Sequence, residues 1–221
     1  MTARNSLAAR SMRNTKHNPV LLLTGFEPFG RFASNPSWDA ALAVSRRLRQ
    51  SVVAVRLPVD YVKSRDRLLK AIVDIRPAAC LCTGLAPHDE FRLEEIARKP
   101  REFADIVGKA QLKGTWPWRN TEKVLRALDV PNRRSRDAGQ YVCESTYWSL
   151  LDHAASQRIR MHLGFLHVPA DSPRFPTSKT TAVVLEVVSA YVSTYLSPKR
   201  REQVRGDARP FRSRCKAGPG H

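Results

Sequence analysis

Long apolar stretches are missing from this chain of 221 residues. Runs such as residues 20–23 stop after four positions, against the ~20 that a membrane-crossing helix needs, so no membrane span is expected. Cysteine is scarce too. Four in a chain of this length do not make a disulfide scaffold, and a reducing compartment, the cytoplasm, is the expected setting. The first residues lack the apolar stretch of a secretory signal, so export is not expected, although their Arg-rich, Ser-containing, acid-poor composition has a transit-peptide character. Gly25-Phe-Glu-Pro-Phe-Gly30 has neither the lysine of a P-loop nor the G-x-G-x-x-G spacing. No second cysteine or histidine pair stands at zinc-ligand spacing beside Cys80 and Cys82, so neither a metal nor a cofactor is expected.

Acid is also in short supply, with 20 Asp and Glu against 38 Lys and Arg, a formal charge of +18. The excess is unevenly placed. Residues 1–19 hold Arg4, Arg10, Arg13 and Lys16 and no acid, and residues 196–221 hold eight basic residues against Glu202 and Asp207. More than half the surplus therefore sits in two segments with little hydrophobic periodicity, which read as solvated tails. The expected organisation is a basic, disordered tail over 1–19, one α/β domain over 20–196 and a second basic, disordered tail over 197–221. The tails also allow non-specific contact with polyanions, nucleic acid or anionic membrane, without sequence readout.

What is present in the middle is an alternation of strand and helix patterns. Short apolar or β-branched runs at 20–24, 51–57, 78–83 and 161–168 are each closed by glycine or proline. Helical spacing of apolar residues marks 38–48, 63–75, 121–128, 144–158 and 180–196. Asn35 before Pro36 is a plausible N-cap for the first of these helices. Such alternation predicts βαβ units and a three-layer α/β/α single domain with a twisted, mostly parallel sheet. In that architecture sites gather at the carboxyl ends of strands.

Two residues stand at such positions. Cys143 immediately precedes the helix expected from Glu144, where the positive end of the helix dipole favours the nucleophilic thiolate and free N–H groups can hold an oxyanion. His167 ends a strand just before Pro169 and is a candidate general base once paired with a thiol. A carboxylate is then needed to orient the imidazole, and Glu90, Glu94 and Glu95 are all available past the third strand. Cys80 and Cys82, two apart on a strand, read as buried core cysteines. Phe26 and Phe29, at a strand end, can line an apolar pocket, and Trp116 and Trp118 cover the core or a loop.

The motif Leu21-Leu-Leu-Thr-Gly-Phe-Glu-Pro-Phe-Gly30, followed by Asn35-Pro-Ser-Trp38, resembles the amino-terminal signature of the pyroglutamyl-peptidase I family of cysteine peptidases. Asp137-Ala-Gly-Gln-Tyr-Val-Cys143 resembles the family's nucleophile motif and Gly164-Phe-Leu-His-Val-Pro169 its histidine motif. Leu93-Glu-Glu-Ile-Ala97 resembles the segment bearing the family's glutamate, which puts that role on Glu94. The resemblance runs over about residues 20–195. It implies an α/β fold, removal of an N-terminal pyroglutamyl residue from peptides through a thioester, and a catalytic set of Cys143, His167 and Glu94. It also implies a homo-oligomer, since family members commonly self-associate.

Pyroglutamate is a neutral lactam, so its pocket should be apolar with a few backbone hydrogen bonds. Phe26, Phe29, Phe32, Tyr141 and Val142 are the expected walls. The chain departs from the family at two positions. Glu95 stands where an arginine is usual after the glutamate, leaving Arg98 or Arg101 as replacements, and Glu144 stands where asparagine usually follows the nucleophile. A carboxylate at 144 opposes thiolate formation unless it is turned to solvent. These departures motivate the alternative expectation of a weakened or inactive relative that binds peptides or anions.

Overall fold

Successive residues of a strand point to opposite faces, and here that alternation sorts the core into two layers. Leu21 and Leu23 of strand β1 (Leu21–Phe26) join one hydrophobic cluster, while Leu22 and Phe26 join the other. The structure is a computed structural model that describes residues 18–30 and 33–197. Phe32, Cys215 and most of the two segments expected to be tails lie outside the described residues.

After β1 the chain forms α1 (Pro36–Arg47), β2 (Val52–Leu57), α2 (Tyr61–Ile75), β3 (Ala79–Ala86), β4 (Phe91–Glu94) and β5 (Ile96–Arg98). It continues through β6 (Gln111–Lys113), α3 (Trp118–Ala127), β7 (Asn132–Ser135), α4 (Val142–Ser156), β8 (His162–Pro169) and α5 (Thr177–Tyr191), which ends in a π-turn over Val192–Leu196. The main sheet has the order β2-β1-β3-β8-β4-β7. Its first four strands are parallel; β4 runs antiparallel to β8 and β7 parallel to β4. A separate ribbon pairs β5 with β6. Helices α1, α3 and α5 cover one face and α2 and α4 the other, giving the expected three-layer α/β fold with a mostly parallel sheet.

Local chemistry accounts for the entry to α1. Asn35 caps it, its Oδ1 accepting from the Ser37 amide at 3.1 Å and the Ser37 hydroxyl at 2.8 Å. The Ser37 Oγ in turn accepts from the Phe26 amide at 3.1 Å, and Asn35 Nδ2 donates to the Glu27 carbonyl at 3.1 Å. Gly25 is required by this close approach, because a Cβ there would run into the Ser37 carbonyl. The turn after β1 is thereby locked to the start of α1.

Three features differ from the sequence expectation. The third strand runs through Gly84 to Ala86 rather than closing at Gly84, because Gly84 still pairs in the ladder with His167. Helix α4 starts at Val142, so Cys143 lies inside its first turn rather than before it. Strands β4 and β7, four residues each, and the β5–β6 ribbon have no counterpart in the expected elements. The sequence Asn132-Arg-Arg-Ser of β7 is an edge strand studded with charge, which blunts edge-to-edge pairing and hides the strand from apolar patterning.

Candidate active site

Strand parity decides which polar groups meet. On β8, Leu166 and Val168 belong to the cluster under α1 and α5, so His167 faces the α4 layer together with Phe165. On β4, Phe91 and Leu93 face α5, so Glu94 faces α4. Glu94 pairs in register with Phe165 and Arg92 with His167, which makes Glu94 a diagonal neighbour of the imidazole on the same face. The contact is direct: His167 Nδ1 lies 2.9 Å from Glu94 Oε1, with both side chains almost wholly buried. Glu94 Oε2 is buried with no partner among the described residues, so its charge is directed at the imidazole. The Glu94 carbonyl accepts from the Tyr147 hydroxyl at 3.1 Å, tying β4 to α4.

The three carboxylates that spacing left open are separated by these contacts. Glu90 Oε1 meets Arg92 Nε at 2.9 Å and Arg133 Nε at 2.8 Å. Glu95 meets Arg134, whose guanidinium also grips Glu122 through two bonds of 2.8 and 2.9 Å. Only Glu94 reaches the histidine.

Cys143 approaches from above. Its sulfur stands over β3, where a Cβ on Gly84 would come within 2.8 Å of Cys143 Sγ and 2.8 Å of Phe165 Cζ. The absent side chain of Gly84 therefore makes room for the thiol beside His167, its ladder partner. Burial pushes the His167 pKa down, but the neighbouring Cys143 and the hydrogen-bonded Glu94 carboxylate outweigh it and hold the pKa up at about 9. With Nδ1 on Glu94, Nε2 is the nitrogen left for the thiol. The amides of Val142 and Cys143, in the first turn of α4, have no acceptor among the described residues, as expected at a helix start.

The departures from the family pattern are accommodated in specific ways. Glu144 is not turned to solvent: it is buried, its Oε1 accepting from the Arg98 amide at 2.9 Å and lying 3.8 Å from Arg98 Nη1. Burial raises its pKa, opposed by the bond and charge of Arg98. Arg98 Nη1 also meets Asp137 Oδ1 at 3.3 Å, so Arg98 ties the loop before Cys143 to β5. Arg101 begins a short 3-10 turn and is exposed.

The expected pocket walls separate by burial. Phe26 and Val142 are buried in the cluster against which Cys143 packs, whereas Phe29 and Tyr141 are exposed, Tyr141 by 77%. Tyr61, which residue patterns did not single out, opens α2, packs against the same cluster and donates to the Gln140 carbonyl at 3.2 Å. Burial raises its pKa, reinforced by the charges of Glu102, Tyr141 and Cys143. Cys80 and Cys82 are fully buried with sulfurs 3.9 Å apart, while Trp116 and Trp118 are core residues, Trp116 stacking on Tyr191 with centroids 4.3 Å apart. A hollow of about 620 Å³ lined by Ala78, Met161 and His162 among others opens where β3 and β8 begin, the far end of the sheet from Cys143. Among the described residues no cluster of three or more His, Cys, Asp or Glu is placed to hold a metal ion, and no helix is long and apolar enough to cross a membrane.

Comparison with known proteins gives this arrangement its context. A family model described as pyroglutamyl peptidase matches residues 19–188. The pyrrolidone-carboxylate peptidase of Pseudomonas fluorescens is 30% identical over 204 residues, covering 81% of this chain and 94% of that protein. The pyrrolidone-carboxylate peptidase of Clavibacter michiganensis is 34% identical over 168 residues, covering 68% and 78% respectively. The crystal structure of pyroglutamyl peptidase I from Bacillus amyloliquefaciens superposes with a TM-score of 0.68 at 25% identity, covering 79% of this chain and 96% of that one. With the family model and these relatives spanning the α/β unit that carries Cys143, His167 and Glu94, the chain belongs to the pyroglutamyl peptidase family.

Proposed function

We propose that the protein is a cysteine-type pyroglutamyl peptidase that removes an N-terminal pyroglutamyl residue from peptides, with Cys143 as nucleophile, His167 as proton carrier and Glu94 as the group that orients and charge-stabilises the imidazole. The observation that carries the assignment is the convergence of the three on one face of the sheet: the 2.9 Å His167–Glu94 contact, and the Cys143 sulfur standing over Gly84, the ladder partner of His167.

The course follows from these groups. Near neutral pH the elevated imidazole pKa keeps His167 protonated, and a thiolate–imidazolium pair is the reactive form. Cys143 Sγ attacks the carbonyl that joins pyroglutamate to the next residue, and the resulting oxyanion is held by the first-turn amides of α4. His167 gives its proton to the leaving amine, the C–N bond breaks and a thioester remains. The imidazole then takes a proton from water, which attacks the thioester and releases pyroglutamate and the thiolate. Phe26 and Val142 form the inner wall for the lactam ring, with Phe29 and Tyr141 as outer walls.

The departures at 95 and 144 leave this set intact, since Glu95 is held by Arg134 and Glu144 by Arg98. Residues 20–196 form the catalytic unit, and the free thiols of Cys80, Cys82 and Cys143 fit a reducing compartment such as the cytoplasm. Hydrolysis of a fluorogenic pyroglutamyl amide tests the assignment. Turnover is expected in the native chain and its loss, by at least about 10³-fold, in Cys143→Ala with the fold unchanged by circular dichroism; undiminished cleavage by that variant overturns it.

A further inference from the structure

The strand register draws one row of residues across the sheet at the height of the imidazole. Gly84 pairs with His167, His167 with Arg92 and Arg92 with Arg133. On the other side Thr24 pairs with Cys82, so Phe26, two residues further on, comes level with Gly84. All five lie on the α4 face by strand parity. The row therefore reads apolar ring, gap, imidazole, cation, cation.

Reaction geometry gives the row a direction. Cys143 Sγ stands over Gly84, so the carbonyl under attack lies there. His167 must reach the leaving nitrogen, because it supplies that atom's proton. The acyl part consequently lies toward Phe26 and the leaving peptide toward β4, where Arg92 is the first side chain beyond the imidazole.

Charge at that end is unbalanced. Glu90 offers a single oxygen, Oε1, to both Arg92 Nε at 2.9 Å and Arg133 Nε at 2.8 Å. The η nitrogens of both guanidiniums have no partner among the described residues. Arg92 is only 16% exposed and Arg133 55%, so screening is incomplete at the inner site. Beyond Glu90 an open hollow of about 520 Å³ is lined by Pro87, His88, Asp89, Pro131 and Arg174, so its remaining lining adds one acid and one base and no net formal charge. His88, whose pKa burial and then Arg92 lower, adds no anion. One cation is left over beside the departing chain.

We propose that Arg92 and Arg133 form the subsite for the leaving peptide and favour a carboxylate there, supplied by an acidic first residue after pyroglutamate or by the C-terminus of a dipeptide substrate. This rests on the peptidase reading above.

The test compares kcat/KM within two matched pairs of substrates: pyroglutamyl-glutamate amide against pyroglutamyl-glutamine amide, and pyroglutamyl-alanine against its amide. Full-length native protein, Arg92→Gln and Arg133→Gln are assayed at low and high salt. The native protein is expected to favour the charged member of at least one pair by about five- to ten-fold, mainly through KM, and the preference should shrink at high salt. The first pair reports an acidic side chain, the second a terminal carboxylate. Arg92→Gln should bring the ratio near one and Arg133→Gln reduce it. Each ratio is taken within one variant, so it does not depend on how much folded enzyme a preparation holds, and Arg133→Gln, the more exposed position, serves if Arg92→Gln does not fold. Equal rates on charged and neutral members of both pairs, or a preference that survives both substitutions, overturns the subsite while leaving the peptidase intact. Failure to cleave any of the four peptides overturns the peptidase reading, and this subsite with it.

Discussion

The two faces of the sheet use the same strands for different ends. Toward α1 and α5 the strands present Leu81, Leu93, Leu166 and Val168, packed with Phe175, Val184 and Val188. Toward α4 the intervening residues are Cys82, Glu94, Phe165 and His167, and above them sits Cys143. A buried ion pair is a weak source of stability, because desolvating both charges offsets their attraction, and Glu94 carries an unpartnered buried oxygen as well. Large apolar side chains removed from water contribute reliably, each about 1.5–3 kcal/mol. The difference teaches that the α4 face, which packs an apolar cluster of its own, also holds at its strand ends polar groups that are placed for chemistry.

Substitutions on one strand pair can break that division. Glu94→Gln keeps the shape but removes the charge that holds the imidazolium, and is expected to lower kcat/KM by up to about 10⁴-fold, the largest effect, while costing no more stability than the roughly 1–3 kcal/mol tied to the His167 proton. A steady-state assay beside an equilibrium unfolding curve decides it; a large loss of stability with turnover retained would reverse the roles of the two faces. Leu166→Ala, next to His167 in sequence and opposite in direction, is expected to cost about 2–5 kcal/mol of stability while turnover per folded molecule stays at the native level. A fall in turnover of the kind expected for Glu94→Gln would show that the faces are not separable.

How much of this is legible in the sequence follows from the same parity. The short apolar or β-branched runs of β1, β2, β3 and β8 and the helical stripes between them mark themselves, so the α/β class is readable without coordinates. Strand β4 is four residues long, and its antiparallel register with β8 brings Glu94 rather than Glu90 or Glu95 to His167; no local pattern encodes a register between segments about seventy residues apart. Gly84 reads as the end of a strand, yet it lies within the ladder and clears the space for the thiol. A glycine at the carboxyl end of a buried strand was the available signal. The direction of Glu144 was equally hidden, because Arg98 comes from a ribbon whose three-residue strands lack apolar periodicity.

Titration sharpens the comparison last and by the smallest margin. The ordinary histidine pKa is about 6.5, and in the folded protein that of His167 is raised to about 9, burial being overcome by Cys143 and Glu94. A raised native pKa means that the folded state holds the proton more tightly than the unfolded chain. The associated stability is therefore complete below about pH 6.5, and it is lost as pH rises through about 9, an effect of order 1–3 kcal/mol. Activity should fall over the same upper limb, because a neutral imidazole has no proton for the leaving amine. Other groups titrate there too, so the readout is the difference between the native protein and His167→Gln, measured by urea unfolding from pH 6 to pH 10. That difference should shrink as pH rises, whereas the penalty of Leu166→Ala, a loss of apolar packing in the other cluster, should stay flat. Parallel curves for His167→Gln and the native protein would remove the charged imidazole from the resting site and, with it, the thiolate–imidazolium pair as the reactive form.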